Sequence, residues 1–189
     1  MIDSTYITDY FNKTSKAING LVEHKENIVS VISEIEKCYL NKKKVLVAGN
    51  GGSCADAEHF AGELIGRYKK KRKPLKSISL TADSSVITCI ANDFGYEYVF
   101  SRQLNGLGKK NDLVIVFSTS GNSQNIIETL KVAKSKKIKS IALLGNNGGK
   151  CKKKSNYEYI VPSKSTELIQ EVHHIICHYV SEILDQNIK

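Results

Sequence analysis

From Leu113 to Phe117 the chain reads Leu-Val-Ile-Val-Phe, with Asp112 before it and a serine after. A strand with no polar alternation is buried on both faces, which is the pattern of a parallel sheet covered by helices. Lys139–Leu144 is a second such run, and Lys44–Ala48, with its core Val45-Leu46-Val47-Ala48, a third. Leu75–Leu80 and Tyr157–Val161 read as shorter strands. Between them the spacing predicts helices over Cys54–Tyr68, Asp83–Ala91, Tyr98–Leu107 and Gln124–Lys136, and one capped by Ser165 or Thr166 running to about Asp185. Strands alternating with helices of this length predict βαβ units and an α/β fold, a doubly wound parallel sheet flanked by helices. Ahead of it, residues 5–40 read as mostly helix with a possible break at Gly20, and Leu21, Ile28, Ile32, Ile35 and Tyr39 form an apolar stripe. Leading helices outside such a core are often oligomer contacts. No repeat or linker interrupts the chain, so residues 1–189 are expected to be one domain.

In doubly wound sheets ligands sit at the carboxyl ends of the strands. Two turns fall there and are expected to face one cleft. The first, Gly49-Asn50-Gly51-Gly52-Ser53, has three glycines that let the backbone take positive φ and approach a ligand closely. Ser53 is expected to cap the helix that follows, whose first N–H groups attract anions. The glycine spacing fits neither a Walker A loop nor a dinucleotide fingerprint. On that helix His59 and Glu63 stand four residues apart, about 40° around the axis. They set a nitrogen and a carboxylate beside an oxyanion-binding turn, although such a pair is also common on plain helix surfaces. The second turn, Ser118-Thr119-Ser120-Gly121-Asn122-Ser123, offers four hydroxyls, a glycine and the N–H groups of a new helix. Hydroxyls, amides and a helix dipole together make a phosphate cradle that needs no lysine.

Composition narrows the partners. The 28 basic and 19 acidic residues leave a net charge of +9, which suits an anionic partner. The one dense basic run, Lys69-Lys70-Lys71-Arg72-Lys73, carries no interleaved aromatics to stack bases, so a solvated loop is expected there and nucleic acid is not. No apolar run approaches a membrane span, and the start, Met1 to Tyr6, lacks the regions of a signal peptide; a cytoplasmic protein is expected. Five cysteines, an odd number with no CxxC, point to reduced thiols.

The Ser-Thr-Ser-Gly-Asn-Ser turn after a hydrophobic strand resembles the sugar-isomerase (SIS) phosphosugar-binding domain. Gly49–Leu64, Ala91-Asn92-Asp93, Arg102-Gln103, Leu143-Leu144-Gly145, Val161-Pro162-Ser163 and Ile169-Gln170-Glu171-Val172-His173 narrow the resemblance to the phosphoheptose isomerase family, over nearly the whole chain. The turn alone is specific only for the superfamily; His59/Glu63 together with Gln170/His178 is more specific. The resemblance implies that Ser53, Ser118, Thr119, Ser120 and Ser123 hold the phosphate. Asn50, Gly51, Gly52, Asn92 and Asp93 would contact or orient the sugar, with Glu63 and Gln170 also touching substrate. His59, Glu63, Gln170 and His178 would hold one zinc ion per subunit. Glu63 would be the base and His178 its acid/base partner. The implied reaction interconverts sedoheptulose 7-phosphate and a heptopyranose 7-phosphate in a homotetramer. Non-catalytic SIS relatives that bind replication-initiation proteins or DNA, and SIS regulators that sense phosphosugars, stand beside this reading as alternatives.

One point sits awkwardly. Gln170 and His178 are eight residues apart, about 12 Å along a helix, and helix geometry alone prefers His174, which shares their stripe. The sequence also departs from the family pattern at Leu168, where an arginine is usual, and in the density of Lys69–Lys73.

Overall fold

The computed structural model describes residues 3–188; Met1, Ile2 and Lys189, at the two ends of the expected domain span, lie outside them. Five parallel strands form one sheet: β1 (Val45–Gly49), β2 (Ser77–Ser79), β3 (Leu113–Ser118), β4 (Lys139–Leu144) and β5 (Tyr157–Ile160). Their order is β2-β1-β3-β4-β5. This is the flavodoxin-like doubly wound order, in which the winding reverses between β1 and β3. The helices are α1 (Ser4–Glu23), α2 (Lys25–Leu40), α3 (Gly52–Ile65), α4 (Ser84–Phe94), α5 (Ser101–Leu107), α6 (Gln124–Ser135) and α7 (Thr166–Asn187).

Every residue of β1 and β3 is buried, because both sheet faces are covered. Val45, Val47, Ile115, Phe117, Ile141 and Leu143 point to one side, against Phe60, Leu64, Ile169, Val172 and Ile176 of α3 and α7 and the apolar faces of α1 and α2. Leu46, Ala48, Val114, Val116, Ala142 and Leu144 alternate to the other side, against Leu104, Ile126 and Leu130 of α5 and α6. α3 and α7 therefore share one layer, which sets up the site.

Local differences from the sequence expectations have packing causes. The break in the leading helices falls at His24, while Gly20 stays inside α1, where an added Cβ would lie 3.3 Å from Pro162 Cγ. Close approach of the two segments explains that glycine, not a bend. α3 begins at Gly52 with Gly51 as its N-cap, so Ser53 is buried in the first turn instead of capping it. Ser123 and Ser165 occupy N-cap positions without a side-chain cap bond. The glycine-rich segment after β4, Asn146–Cys151, is 3-10-like but kinked where Asn147, Gly148 and Gly149 take positive φ. The basic run is not uniformly solvated. Arg72 forms an ion pair with Asp185 at 2.7 Å, and the two side chains are only 3% and 2% exposed. All five cysteines are free thiols. No helix among the described residues is long and apolar enough to cross a membrane.

Candidate active site

β1 and β3 pair in register up to Gly49 and Phe117, so the turns beginning at Asn50 and Ser118 lie side by side at the switch point. A reciprocal amide pair joins them. Asn50 Nδ2 donates to Asn125 Oδ1 at 2.9 Å, and Asn125 Nδ2 donates back to Asn50 Oδ1 at 2.8 Å. Tyr96 adds a hydroxyl donor to Asn50 Oδ1 at 3.1 Å. The expectation that both turns open on one cleft rests on this junction.

The second turn is held in shape before any ligand arrives. The Gly121 N–H donates to Ser118 Oγ at 3.1 Å, and the Ser118 and Ser123 hydroxyls lie 3.3 Å apart. Gly121 has φ +65°, and a Cβ there would stand 2.2 Å from the Gly148 carbonyl oxygen. No other residue fits so close to that backbone. Cys151 N–H donates to the Gly121 carbonyl at 2.9 Å, and Lys150 N–H to Asn122 Oδ1 at 3.0 Å. α6 starts immediately after; the Ile126 and Ile127 N–H groups bond the Ser123 carbonyl, and those of Gln124 and Asn125 at the helix start complete an oxyanion seat with the turn.

The third part is the seam between α3 and α7, which run side by side in the same direction. Gly52 faces Gln170, Asp56 faces His174, and His59 and Glu63 face His178 and Ser181. At the end nearest the turns, a Cβ on Gly52 would meet Gln170 Nε2 at 2.4 Å, so the glycine makes room for that amide. One turn on, His174 Nδ1 lies 3.1 Å from Asp56 Oδ1. Further on, His59 Nε2 is 3.1 Å from both Glu63 Oε1 and His178 Nε2, and His178 Nε2 is 3.5 Å from Glu63 Oε1. The buried Ser181 hydroxyl donates to the other oxygen, Glu63 Oε2, at 2.6 Å. Tyr68 stacks on His178 with ring centroids 5.6 Å apart. Burial, aided by the neighbouring imidazoles and Lys69, holds His178 below its ordinary pKa against the pull of Glu63. Burial likewise raises the Asp56 carboxyl, against the hydrogen bond to His174.

Of the residues singled out in the sequence, His59, Glu63 and His178 converge within hydrogen-bond distance. Ser118, Thr119, Ser120 and Ser123 line one turn; Asn50, Gly51, Gly52 and Ser53 form the other. Gln170 sits against Gly52, about 12 Å of helix rise from His178. Asn92 and Asp93 are exposed at the end of α4 and bond mainly to each other, at 2.8 Å, without reaching the seam. Asp56, Tyr96, Asn125 and Ser181 escaped the sequence reading. The signals for two of them were faint but present: Asp56 lies three before His59, and Ser181 three after His178, each on the same helix face.

Known proteins share this sequence pattern and fold. The SIS domain profile matches residues 9–145. A phosphoheptose isomerase of Sulfurimonas denitrificans is 44% identical over 187 residues, covering 97% of this chain and 95% of that protein. One of Helicobacter pylori is 46% identical over 173 residues, covering 91% and 88%. The solved structure of a phosphoheptose isomerase from Francisella tularensis superposes with a TM-score of 0.94 at 34% identity, covering 99% of this chain and 100% of that one. The chain thus belongs to the SIS-domain family and, within it, to the phosphoheptose isomerases.

Proposed function

We propose that the protein converts sedoheptulose 7-phosphate to D-glycero-D-manno-heptopyranose 7-phosphate, supplying heptose synthesis for lipopolysaccharide or capsule. The observation that carries this reading is Glu63, a carboxylate gathered with two imidazoles on the seam that leads away from the oxyanion turn. Family membership supports the substrate.

The chemistry follows from the groups present. Ser53, Ser118, Thr119, Ser120 and Ser123, with the helix N–H groups, hold the phosphate, while Asn50, Gly51, Gly52 and Gln170 orient the open-chain sugar; Asn92 and Asp93, set apart on α4, are assigned to the sugar by the family resemblance alone. Six residues separate Ser53 from His59, about 9 Å of helix rise, a length comparable to the carbon chain between the ester and the reacting end. Glu63 takes a proton from C1; the electron pair forms the C1–C2 double bond and charge moves onto O2. Glu63 returns the proton to C2 as the carbonyl forms at C1, and His178 moves the hydroxyl proton between O1 and O2. Ser181 fixes the carboxylate for this transfer.

The residues also fit the zinc ion that the family resemblance implies. Two Nε2 atoms and a carboxylate oxygen lie 3.1, 3.1 and 3.5 Å from one another. The edges of a tetrahedral zinc site are about 3.3 Å, given ligand bonds near 2.0–2.1 Å. Two imidazole nitrogens facing each other need a shared proton or a cation between them. His59, Glu63 and His178 would hold the ion, with Gln170 as the family's fourth ligand; when bound it polarises the carbonyl and stabilises the enediolate.

A homotetramer belongs to the same proposal. Tyr6, Ile7 and Phe11 of α1 are 72, 48 and 63% exposed, and Val22 and Val29 extend the apolar surface, which suits the leading helices to subunit contacts. A cytoplasmic site of action goes with a substrate whose phosphate keeps it from crossing bilayers. The test is turnover by the purified protein across ketose phosphates of five to seven carbons. The seven-carbon substrate is expected to give the highest kcat/KM; no product from any of them supports the non-catalytic relatives instead.

A further inference from the structure

The seam holds a third imidazole that neither the proton-transfer scheme nor the implied ligand set uses. One ring nitrogen from each of His59, His174 and His178 falls within 4.8 Å of the others. The three rings form a compact triangle: His174 is 4.6 Å from His59 and 4.4 Å from His178 by ring centroid, and those two are 5.2 Å apart. Asp56 engages its Nδ1 at 3.1 Å, which leaves Nε2 as the nitrogen able to bind elsewhere. The second oxygen of Asp56 is buried with no hydrogen-bond partner. A buried carboxylate that spends one oxygen on an imidazole and leaves the other unsatisfied is costly as plain packing. It is what a metal-bound histidine ordinarily has behind it, because a carboxylate on the far nitrogen fixes the tautomer and makes the ring a better donor.

We propose that in this chain His174 is itself a metal ligand, aimed by Asp56, so that the ion sits among three imidazoles and the Glu63 carboxylate. The inference rests on the metal reading above and sharpens it. His174 is on the same stripe as Gln170 and His178 but one turn from each, which removes the span of about 12 Å that a Gln170–His178 pair has to bridge. Gln170 is then free to serve the sugar from its seat on Gly52. A site of three imidazoles and one carboxylate favours zinc, cobalt and nickel over magnesium or calcium, whose preferred ligands are all oxygen.

The test is cobalt(II) titrated into the metal-stripped full-length chain, with visible absorption reporting the ligand field and a competing chelator giving the affinity. The unaltered chain is expected to bind one cobalt per subunit with a tetrahedral spectrum. Asp56→Asn, which keeps shape and removes charge, is expected to weaken binding about 10–100-fold, and His174→Ala at least as much with an altered spectrum. His59→Ala and His178→Ala serve as controls for the site itself, and thermal unfolding of each metal-free variant separates lost binding from lost folding. If His174→Ala binds cobalt within twofold of the unaltered chain, with the same spectrum, while the controls lose it, His174 is not a ligand and the inference is overturned although the metal site stands. If the controls also bind unchanged, the metal reading falls and this inference with it. Sedoheptulose 7-phosphate turnover is scored separately, so failure of the isomerase proposal is visible on its own.

Discussion

His59 and His178 are 119 positions apart in sequence, yet their Nε2 atoms lie 3.1 Å from each other, on two helices that share one face of the sheet. The contact exists because α3 and α7 both start at the carboxyl edge and run back over the same layer. It predicts metal dependence. Stripping the protein with a strong chelator is expected to reduce turnover by about 100-fold or more, with recovery on adding zinc and none on adding magnesium. Kinetics before and after readdition check this.

Ser181 offers a sharper test of how Glu63 is aimed. Its buried hydroxyl is 2.6 Å from Glu63 Oε2 and has no duty in substrate binding. Ser181→Ala is expected to lower kcat by about tenfold with KM changed less than about twofold, since an interaction that matters in the transition state has been removed. Steady-state kinetics on the variant, beside an unchanged melting temperature, distinguish positioning from folding.

His173 should govern stability in mild acid. It is fully buried against Phe117, donates Nε2–H to the Leu144 carbonyl at 3.3 Å, and leaves Nδ1 without a partner. Burial drops its pKa from the ordinary 6.5 to about 4. Between those values the unfolded chain binds a proton that the folded chain refuses, so stability falls as pH is lowered through this window. The loss approaches ~3 kcal/mol by its lower end. His173→Gln, which keeps a donor for Leu144, is expected to flatten the dependence; urea unfolding at pH 7, 5.5 and 4.5 measures it.

Arg72 locks α3 and α7 together at their far ends. Its Nη groups donate to the Glu63 and Leu64 carbonyls at 2.8 and 2.9 Å, and Nε to Asp185 Oδ1 at 2.7 Å, while the Lys69 and Lys70 N–H groups reach Asp185 Oδ2. Burial works against the Asp185 charge, but those amide hydrogens and the guanidinium outweigh it and hold its pKa below the ordinary value. Arg72→Ala is expected to cost about 3–5 kcal/mol, lowering the thermal midpoint by on the order of 10 °C, because a buried carboxylate is left unpaired. Arg72→Lys should recover little, as a point charge cannot serve both carbonyls and Asp185. Differential scanning calorimetry of both variants measures the loss.

The sequence made the sheet legible because buried strands announce themselves. Leu113–Phe117 and Lys139–Leu144 could be nothing else, and the small-residue turns behind Ala48 and Phe117 marked the carboxyl edge. His59 and Glu63 were legible as neighbours because helix spacing fixes them. What stayed hidden was tertiary. Nothing in Lys69–Lys73 tells that Arg72 alone folds inward, since its partner Asp185 is 113 residues away. Asn125 and Tyr96 looked like ordinary helix-start and loop residues until Asn50 appeared beside them. The capping role given to Ser53 failed because Gly51 takes that cap.

Solvent hydrogen exchange with Glu63→Gln tests the central claim most directly. With sedoheptulose 7-phosphate in heavy water, the unaltered enzyme should carry deuterium into C2 of the aldose product, read by NMR. Glu63→Gln should lose both turnover and label by about 1000-fold while still binding the phosphosugar within about tenfold. Undiminished labelling and turnover by Glu63→Gln would contradict the account, because some group other than the carboxylate between His59 and His178 would then be moving the proton.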